Sequence, residues 1–227
     1  MTLDALGTLL ALRPPAPLLA AGLRERGIEI GERQASAAIV AEIAFYRAHH
    51  DTAADADSLA RLRVRCTQVL GDALLRAGVD GVSVLPPAEL QDVLLGSLRF
   101  EPYEEVPAVL TALREAGHRL VVVSDWDVSL HETLRTTGLR DLVDGAISSA
   151  EAGASKPAPA IFEQARAIAG EDAPGGLHAG DSVEYDVAGA IAAGLRPVLV
   201  VRTGRVPTVP DGVEVIRSLI GLPALAA

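Results

Sequence analysis

The chain has 227 residues, 49% of them apolar and 22% charged, which suits one large domain or a core domain with an insert and excludes disorder throughout. A formal charge of −10, from 30 acids against 20 bases, opposes binding to nucleic acid or anionic lipid, and no apolar run is long and charge-free enough to span a bilayer. Cys66, the one cysteine, excludes an internal disulfide and a cysteine-built zinc cluster; with Asp4 and no basic flank where a secretory leader would sit, a cytoplasmic protein is expected.

The first apolar run, residues 1–3, stops at Asp4. A central strand has about five residues, so either this one is short or the natural start lies upstream. Residues 14–98 contain no convincing strand. The spacing predicts helices over residues 16–26, 32–49, 58–77 and 87–98, and in the third Leu59, Leu62, Cys66, Val69, Leu70 and Leu74 share one face. Pro14, Pro15 and Pro17 mark the entry to this segment, and Phe100-Glu101-Pro102-Tyr103 marks the return. From there a different rhythm sets in. Apolar runs at 120–123, 145–147, 177–179 and 197–201 read as buried parallel strands, and they alternate with helical patterns at 106–116, 128–137, 159–169 and 183–193. Gly117, Gly138, Gly170 and Gly194 punctuate the helix ends. Strand, helix, strand in this order predicts an α/β fold: a Rossmann-like, doubly wound parallel sheet, residues 1–13 and 99–227, interrupted by a four-helix cap, residues 14–98.

In open α/β sheets ligands bind outside the carboxyl ends of the strands. The first four runs lead into Asp4-Ala5-Leu6-Gly7-Thr8, Ser124-Asp125-Trp126-Asp127, Ser155-Lys156-Pro157 and Gly180-Asp181-Ser182-Val183-Glu184-Tyr185-Asp186. Each alone could be a helix cap; all four in this order point to a site of carboxylates, hydroxyls and one ammonium. Lys156 is the only lysine, the other 19 bases being Arg, so its position is a candidate for chemistry that a guanidinium cannot perform.

These motifs resemble the haloacid dehalogenase superfamily over nearly the whole chain, most specifically in Lys156-Pro157-x-Pro159-x-Ile161-Phe162 and in Gly180-Asp181-Ser182 through Asp186-Val187-x-Gly189-Ala190. The helical insert is similar to the family's C1-type cap. The resemblance implies that Asp4 is the nucleophile, forming a covalent aspartyl intermediate. It implies that Thr8 and Ser124 hold the transferred group and that Lys156 neutralises charge. Mg²⁺ would be bound by Asp4, the carbonyl of Leu6 and Asp181, with Asp186 acting through water or orienting Lys156. The sequence departs from the family's phosphatases at Leu6, where they carry an acid–base Asp. General acid–base help is worth roughly 10²–10⁴-fold, so phosphatase activity on alkyl phosphates should be slow. The family's dehalogenases also lack that Asp, yet work without metal and have a less acidic last motif. The expectation is therefore a Mg²⁺-dependent phosphatase acting on a small phosphorylated metabolite. The alternatives are a 2-haloacid dehalogenase and an impaired binding or regulatory protein that keeps the fold.

Other polar residues have plainer readings. Asp125 or Asp127 could replace the missing acid, but capping the next helix or staying solvated is the simpler assignment. Glu42, Tyr46, His49, His50 and Asp51 read as a solvated helix terminus. Trp126 is expected over the sheet edge, Cys66 in a helical core, and Arg13 and Arg24 near the cap entry could meet a substrate anion.

Overall fold

The structure, a computed structural model, describes residues 1–170 and 176–226. It divides into two units, Met1–Ala11 with Glu101–Ala227, and Leu12–Phe100.

The first unit holds a parallel sheet of six strands in the order β5-β4-β1-β6-β7-β8: β1 (Thr2–Leu3), β4 (Val121–Ser124), β5 (Gly145–Ser148), β6 (Leu177–Gly180), β7 (Arg196–Val200) and β8 (Glu214–Ile216). Around it lie α5 (Val106–Glu115), α6 (Leu130–Thr136), α7 (Ser149–Ala152), α8 (Pro159–Ala169), α9 (Ala188–Ala192) and α10 (Leu222–Ala226). This is the Rossmann-like arrangement that the alternating runs predict. All four residues of β4 are buried, as a strand covered on both faces requires. Val121 and Val123 pack with Ile147, Ile161, Phe162, Ala165 and Leu195; a fully buried Val, Ile or Phe of this kind is worth about 1.5–3 kcal/mol.

β1 is central yet has two residues. It works because both neighbours pair with it: Thr2 with Val121 and His178, Leu3 with Val122 and Ala179. Three short strands lie outside the predicted set: β8 on the sheet edge, and β2 (Leu10–Leu12) with β3 (Phe100–Pro102), which pair with each other. The helix expected over 183–193 is broken into a π-helical turn, Val183–Val187, and then α9. The Val187 amide reaches the Ser182 carbonyl at 3.0 Å, while the Asp186 side chain accepts the Ser182 amide at 2.9 Å. The wider turn directs the Asp186 carboxylate back toward the strand end, and π-turns recur at functional sites for this reason.

The second unit holds α1 (Pro15–Arg24), α2 (Glu32–Arg47), α3 (Ala56–Arg76) and α4 (Pro87–Ser97). Helix α3 begins two residues before the predicted start, because Asp55 accepts the Ser58 amide at 2.8 Å and Ser58 accepts the Asp55 amide at 3.0 Å, a reciprocal cap. Leu62, Cys66, Leu70 and Leu74 on α3 bury against Leu19, Leu23, Ile39, Leu90 and Leu94.

Candidate active site

Residues at the ends of β1, β4 and β6, with the loop after α7, converge at the carboxyl edge of the sheet. The Asp4 amide donates to the Ala179 carbonyl at 2.9 Å, so the ladder continues one residue past β1 and holds Asp4 despite the short strand. Ser124, the last residue of β4, donates its hydroxyl to Asp4 Oδ1 at 3.2 Å. Lys156 Nζ donates to Asp4 Oδ1 at 2.6 Å and to Asp186 Oδ1 at 2.7 Å. The Lys156 backbone is itself held, its amide donating to Asp125 Oδ1 at 2.9 Å. One ammonium thus bridges two carboxylates from opposite ends of the chain, and its side chain is only 3% exposed.

Burial raises the Asp4 carboxyl to about 6, an effect that Lys156 partly opposes and that Asp186 and Asp181 add to. Burial would also raise Asp186, but Lys156 and His178 outweigh it and hold that carboxyl well below the ordinary range. Burial works against the Lys156 ammonium; Asp4, Asp186 and Asp125 more than offset it and keep the charge in place. Unlike environments therefore separate the two neighbouring carboxylates, burial dominating at Asp4 and the partner charges at Asp186.

Two buried polar atoms at this edge have no protein partner among the described residues: Asp4 Oδ2 and Thr8 Oγ1. Ligand atoms of Asp4, Asp181 and Asp186 lie within 4.8 Å of one another, with Asp181 exposed. Carboxylate oxygens in such a cluster suit a hard divalent cation, and the orphaned Asp4 Oδ2 is where such an ion or an incoming group would find an acceptor. Two glycines make the cluster possible. At Gly7, φ is +89° and a Cβ would lie 2.0 Å from Asp181 Oδ2; at Gly180, a Cβ would lie 2.2 Å from Asp186 Cγ. Leu6 sits in the same turn, half-buried and bridged to Leu10. Asp4, Thr8, Ser124, Lys156, Leu6, Asp181 and Asp186, the seven site residues expected from sequence, all lie in one unit, at the strand ends or in the segments that follow them. Both oxygens of Asp186 already accept hydrogen bonds.

His178 joins the site without being among the residues expected from sequence. Buried within β6, it lies between Thr2 Oγ1, 3.0 Å from Nδ1, and Asp186 Oδ1, 3.1 Å from Nε2, with its ring edge-on to Phe162. A histidine inside an apolar strand needs partners, and that need was its only sequence signal.

The remaining candidates fall elsewhere. Asp127 accepts the Ser129 amide at 2.7 Å, a tight local turn just ahead of α6. Asp125, half-buried, accepts the Lys156 amide at 2.9 Å and anchors that backbone. Trp126 is buried, its amide tied to Ser149 Oγ. In the second unit Glu42 departs from its expected place. At 2% exposure it is buried rather than solvated, hydrogen-bonded to the Cys66 thiol and raised in pKa by burial. Residues 38, 39, 42 and 46 share a helical face, so the backbone carries Glu42 inward with its apolar neighbours. His49 stacks on Phe45 and bonds the Phe45 carbonyl. Arg24 lies 3.7 Å from Glu29, and the Arg13 amide bonds the Arg99 carbonyl.

Compared with known proteins, residues 2–194 match the family description of a haloacid dehalogenase-like hydrolase. Over 127 residues the chain is 37% identical to haloacid dehalogenase-like hydrolase domain-containing protein 3 of Bos taurus, covering 55% of this chain and 51% of that protein. Over 131 residues it is 31% identical to a ribulose-1,5-bisphosphate 5-phosphatase of Halopiger xanaduensis, covering 57% and 47%. The chain spans about half the length of the curated relatives it matches. Among solved structures, a 2-haloacid dehalogenase from Pseudomonas syringae pv. Tomato is 27% identical with a TM-score of 0.66, over 99% of this chain and 96% of that one.

Proposed function

We propose, on the premise that the chain belongs to the haloacid dehalogenase-like hydrolases, that it is a Mg²⁺-dependent phosphatase acting on a small phosphorylated metabolite through an aspartyl intermediate. The observation that carries this reading is the state of Asp4. One carboxylate oxygen is held by Lys156 and Ser124, while the other is buried without a partner among the described residues. In this reading Asp4 Oδ2 attacks phosphorus, the leaving oxygen departs with its electron pair, and water then cleaves the aspartyl phosphate. Thr8 and Ser124 hold the transferred group. Lys156 neutralises the charge gathered between Asp4 and the phosphoryl oxygens, and Asp186, with both oxygens occupied, orients Lys156. Asp4, the Leu6 carbonyl and Asp181 would hold Mg²⁺, with Asp186 as an outer partner. The ion would supply charge neutralisation for the phosphoryl group. The phosphatase activity of the Halopiger relative supports the substrate class. The test is hydrolysis of p-nitrophenyl phosphate and of a panel of phosphorylated metabolites, with and without Mg²⁺. Turnover only with metal is expected, and its absence on every substrate would overturn the reading.

A dehalogenase reading has its own support, in Leu6 and in the likeness to a 2-haloacid dehalogenase. Halide release from 2-chloropropionate without added metal would establish it in place of the phosphatase.

Metal binding can be read without turnover. A ligand present at about 100 times its Kd stabilises by roughly 2.7 kcal/mol, or roughly 5–10 °C for a chain of this size. We expect millimolar Mg²⁺ to raise the melting temperature of the wild type on this scale and to leave Asp181→Ala unmoved. Equal melting in all four samples would remove the metal site.

Leu6 has a separate signature. Nitrophenyl and acyl phosphates release stabilised anions, whereas a sugar alkoxide needs a proton that Leu6 cannot give. The wild type should therefore turn over the former measurably and sugar phosphates barely. Leu6→Asp should raise kcat/KM on sugar phosphates relative to p-nitrophenyl phosphate by roughly 10²-fold. An unchanged ratio in a folded, metal-binding Leu6→Asp would show that no acid is missing.

A further inference from the structure

Arg202 follows β7 and belongs to none of the four strand-end motifs. Three of its nitrogens make three different attachments. Nε donates to the Gly7 carbonyl at 3.1 Å, Nη2 to the Thr8 carbonyl, and Nη1 to Glu105 Oε1 at 2.8 Å. The guanidinium also lies 3.4 Å from the centroid of the Tyr103 ring. Glu105 is fixed in turn: its Oε1 accepts from Ser218 Oγ at 2.9 Å and from the Leu219 amide at 3.3 Å. Burial alone would raise the Glu105 carboxyl, but these donors and the guanidinium hold it at about 2. The Arg202 side chain is 13% exposed and that of Glu105 16%.

We propose that Arg202 is the positioning residue of the nucleophile turn, holding the Gly7 and Thr8 carbonyls so that Asp4, the Gly7–Asp181 approach and the Thr8 hydroxyl keep their places. The inference rests on the reading of Asp4 as nucleophile. The turn is closed from inside by the Gly7 amide on the Leu10 carbonyl at 2.8 Å and the Thr8 amide on the Ala5 carbonyl at 3.3 Å. Those bonds fix its amides and leave its carbonyls to Arg202. With two consecutive carbonyls held by one rigid fork, the intervening peptide cannot rotate. Only a guanidinium can do this: it donates in three directions from one plane and stacks on an aromatic ring, whereas an ammonium is a point charge on a flexible stem. Glu105 and Tyr103 sit immediately after β3, and Thr8 lies just before β2. The same side chain therefore fastens both passages of the chain at the foot of the β2–β3 pair, within the sheet-bearing unit.

The test compares wild type, Arg202→Met, Arg202→Lys and Glu105→Gln by amide hydrogen exchange and by p-nitrophenyl phosphate kinetics. In Arg202→Met we expect exchange over residues 5–10 to quicken at least tenfold while β4 and β6 keep their protection. Because a misplacement of about 1 Å costs roughly 10²-fold, kcat should fall on that scale with KM within about threefold, the pattern of an interaction that acts in the transition state. Arg202→Lys should resemble Arg202→Met. Glu105→Gln, which leaves the fork intact, should show the same changes more weakly. Millimolar methylguanidine should restore part of kcat in Arg202→Ala, which leaves the guanidinium's place empty, a rescue that lost stability alone would not show. Unchanged exchange over residues 5–10, or faster exchange throughout the sheet, overturns the proposal, as does a kcat within threefold of wild type. If Arg202→Met does not fold, Arg202→Lys and Glu105→Gln decide by the same criteria. If the wild type does not turn over p-nitrophenyl phosphate, the reading of Asp4 fails separately and the exchange result alone decides whether Arg202 holds the turn.

Discussion

Asp4→Asn will abolish turnover and leave the metal-free protein at least as stable as the wild type at pH 7.5. On the reading of Asp4 as nucleophile, its removal costs roughly 10⁴-fold or more in kcat, the largest loss expected of any single change here. The stability half follows from burial. The Asp4 carboxyl is raised from 3.8 to about 6 in the folded protein, so above that pH the folded state carries a charge that it would rather not hold. The carboxyl contributes stability below its unfolded pKa, and this contribution is lost as pH rises through about 6. Asparagine removes that charge with little change in shape. The melting difference between variant and wild type, measured in a chelator, should therefore widen in the variant's favour between pH 4 and 7.5. A variant that melts well below the wild type across this range would show that Asp4 is a structural ion-pair partner of Lys156 instead. Residual turnover within a hundredfold would remove it as nucleophile.

Lys156→Arg will lose most activity although it keeps the charge. The ammonium fits a gap in which it lies 2.6 Å from one carboxylate and 2.7 Å from another. A guanidinium is wider and planar and presents its donors in a fixed fork, so it cannot take both bonds from the same point. A displacement of about 1 Å at the nucleophile is enough for a loss of roughly 10²-fold in kcat. Lys156→Met should be worse in a different way. It leaves two carboxylates facing each other in a buried site, and breaking a buried pair by removing one partner costs about 3–5 kcal/mol. Activity in Lys156→Arg within threefold of wild type, measured on p-nitrophenyl phosphate, would show the lone lysine to be incidental.

How far these groups are legible in sequence depends on the kind of bond each one makes. Asp4, Ser124 and Asp181 stand where an apolar run ends in a polar residue, a pattern that parallel sheets impose because ligands bind there. Lys156 stands out by being the only lysine. Arg202 also follows an apolar run, yet two of its partners are backbone carbonyls, which any residue type supplies, and its side-chain partner Glu105 lies 97 residues away, so no neighbouring residue signals it. His178 is hidden inside the strand it belongs to. Glu42 lies on a face where Ala38 and Ile39 are buried; helical spacing carries it inward, but its charge suggests water, and in this case position outweighs residue type. Short strands are the other blind spot. β2, β3 and β8 have three residues each, and periodicity cannot be read over so short a span. They exist because a distant segment pairs with them.

The position of β1 bears on how a nascent chain matures. Thr2 pairs with Val121 and His178, and Leu3 with Val122 and Ala179. At about 5–20 residues per second of synthesis, roughly 6–24 s separate the emergence of Thr2 from that of Val121 on the ribosome. Throughout that interval the central strand has nothing to pair with, while the helices of Leu12–Phe100 already have one another. Asp4 precedes Ser124, Lys156 and Ala179 in the chain, so it can take its place only after all three partners have been made. Codons within the helical segment set how long it waits, so their translation speed bears on the yield of folded protein.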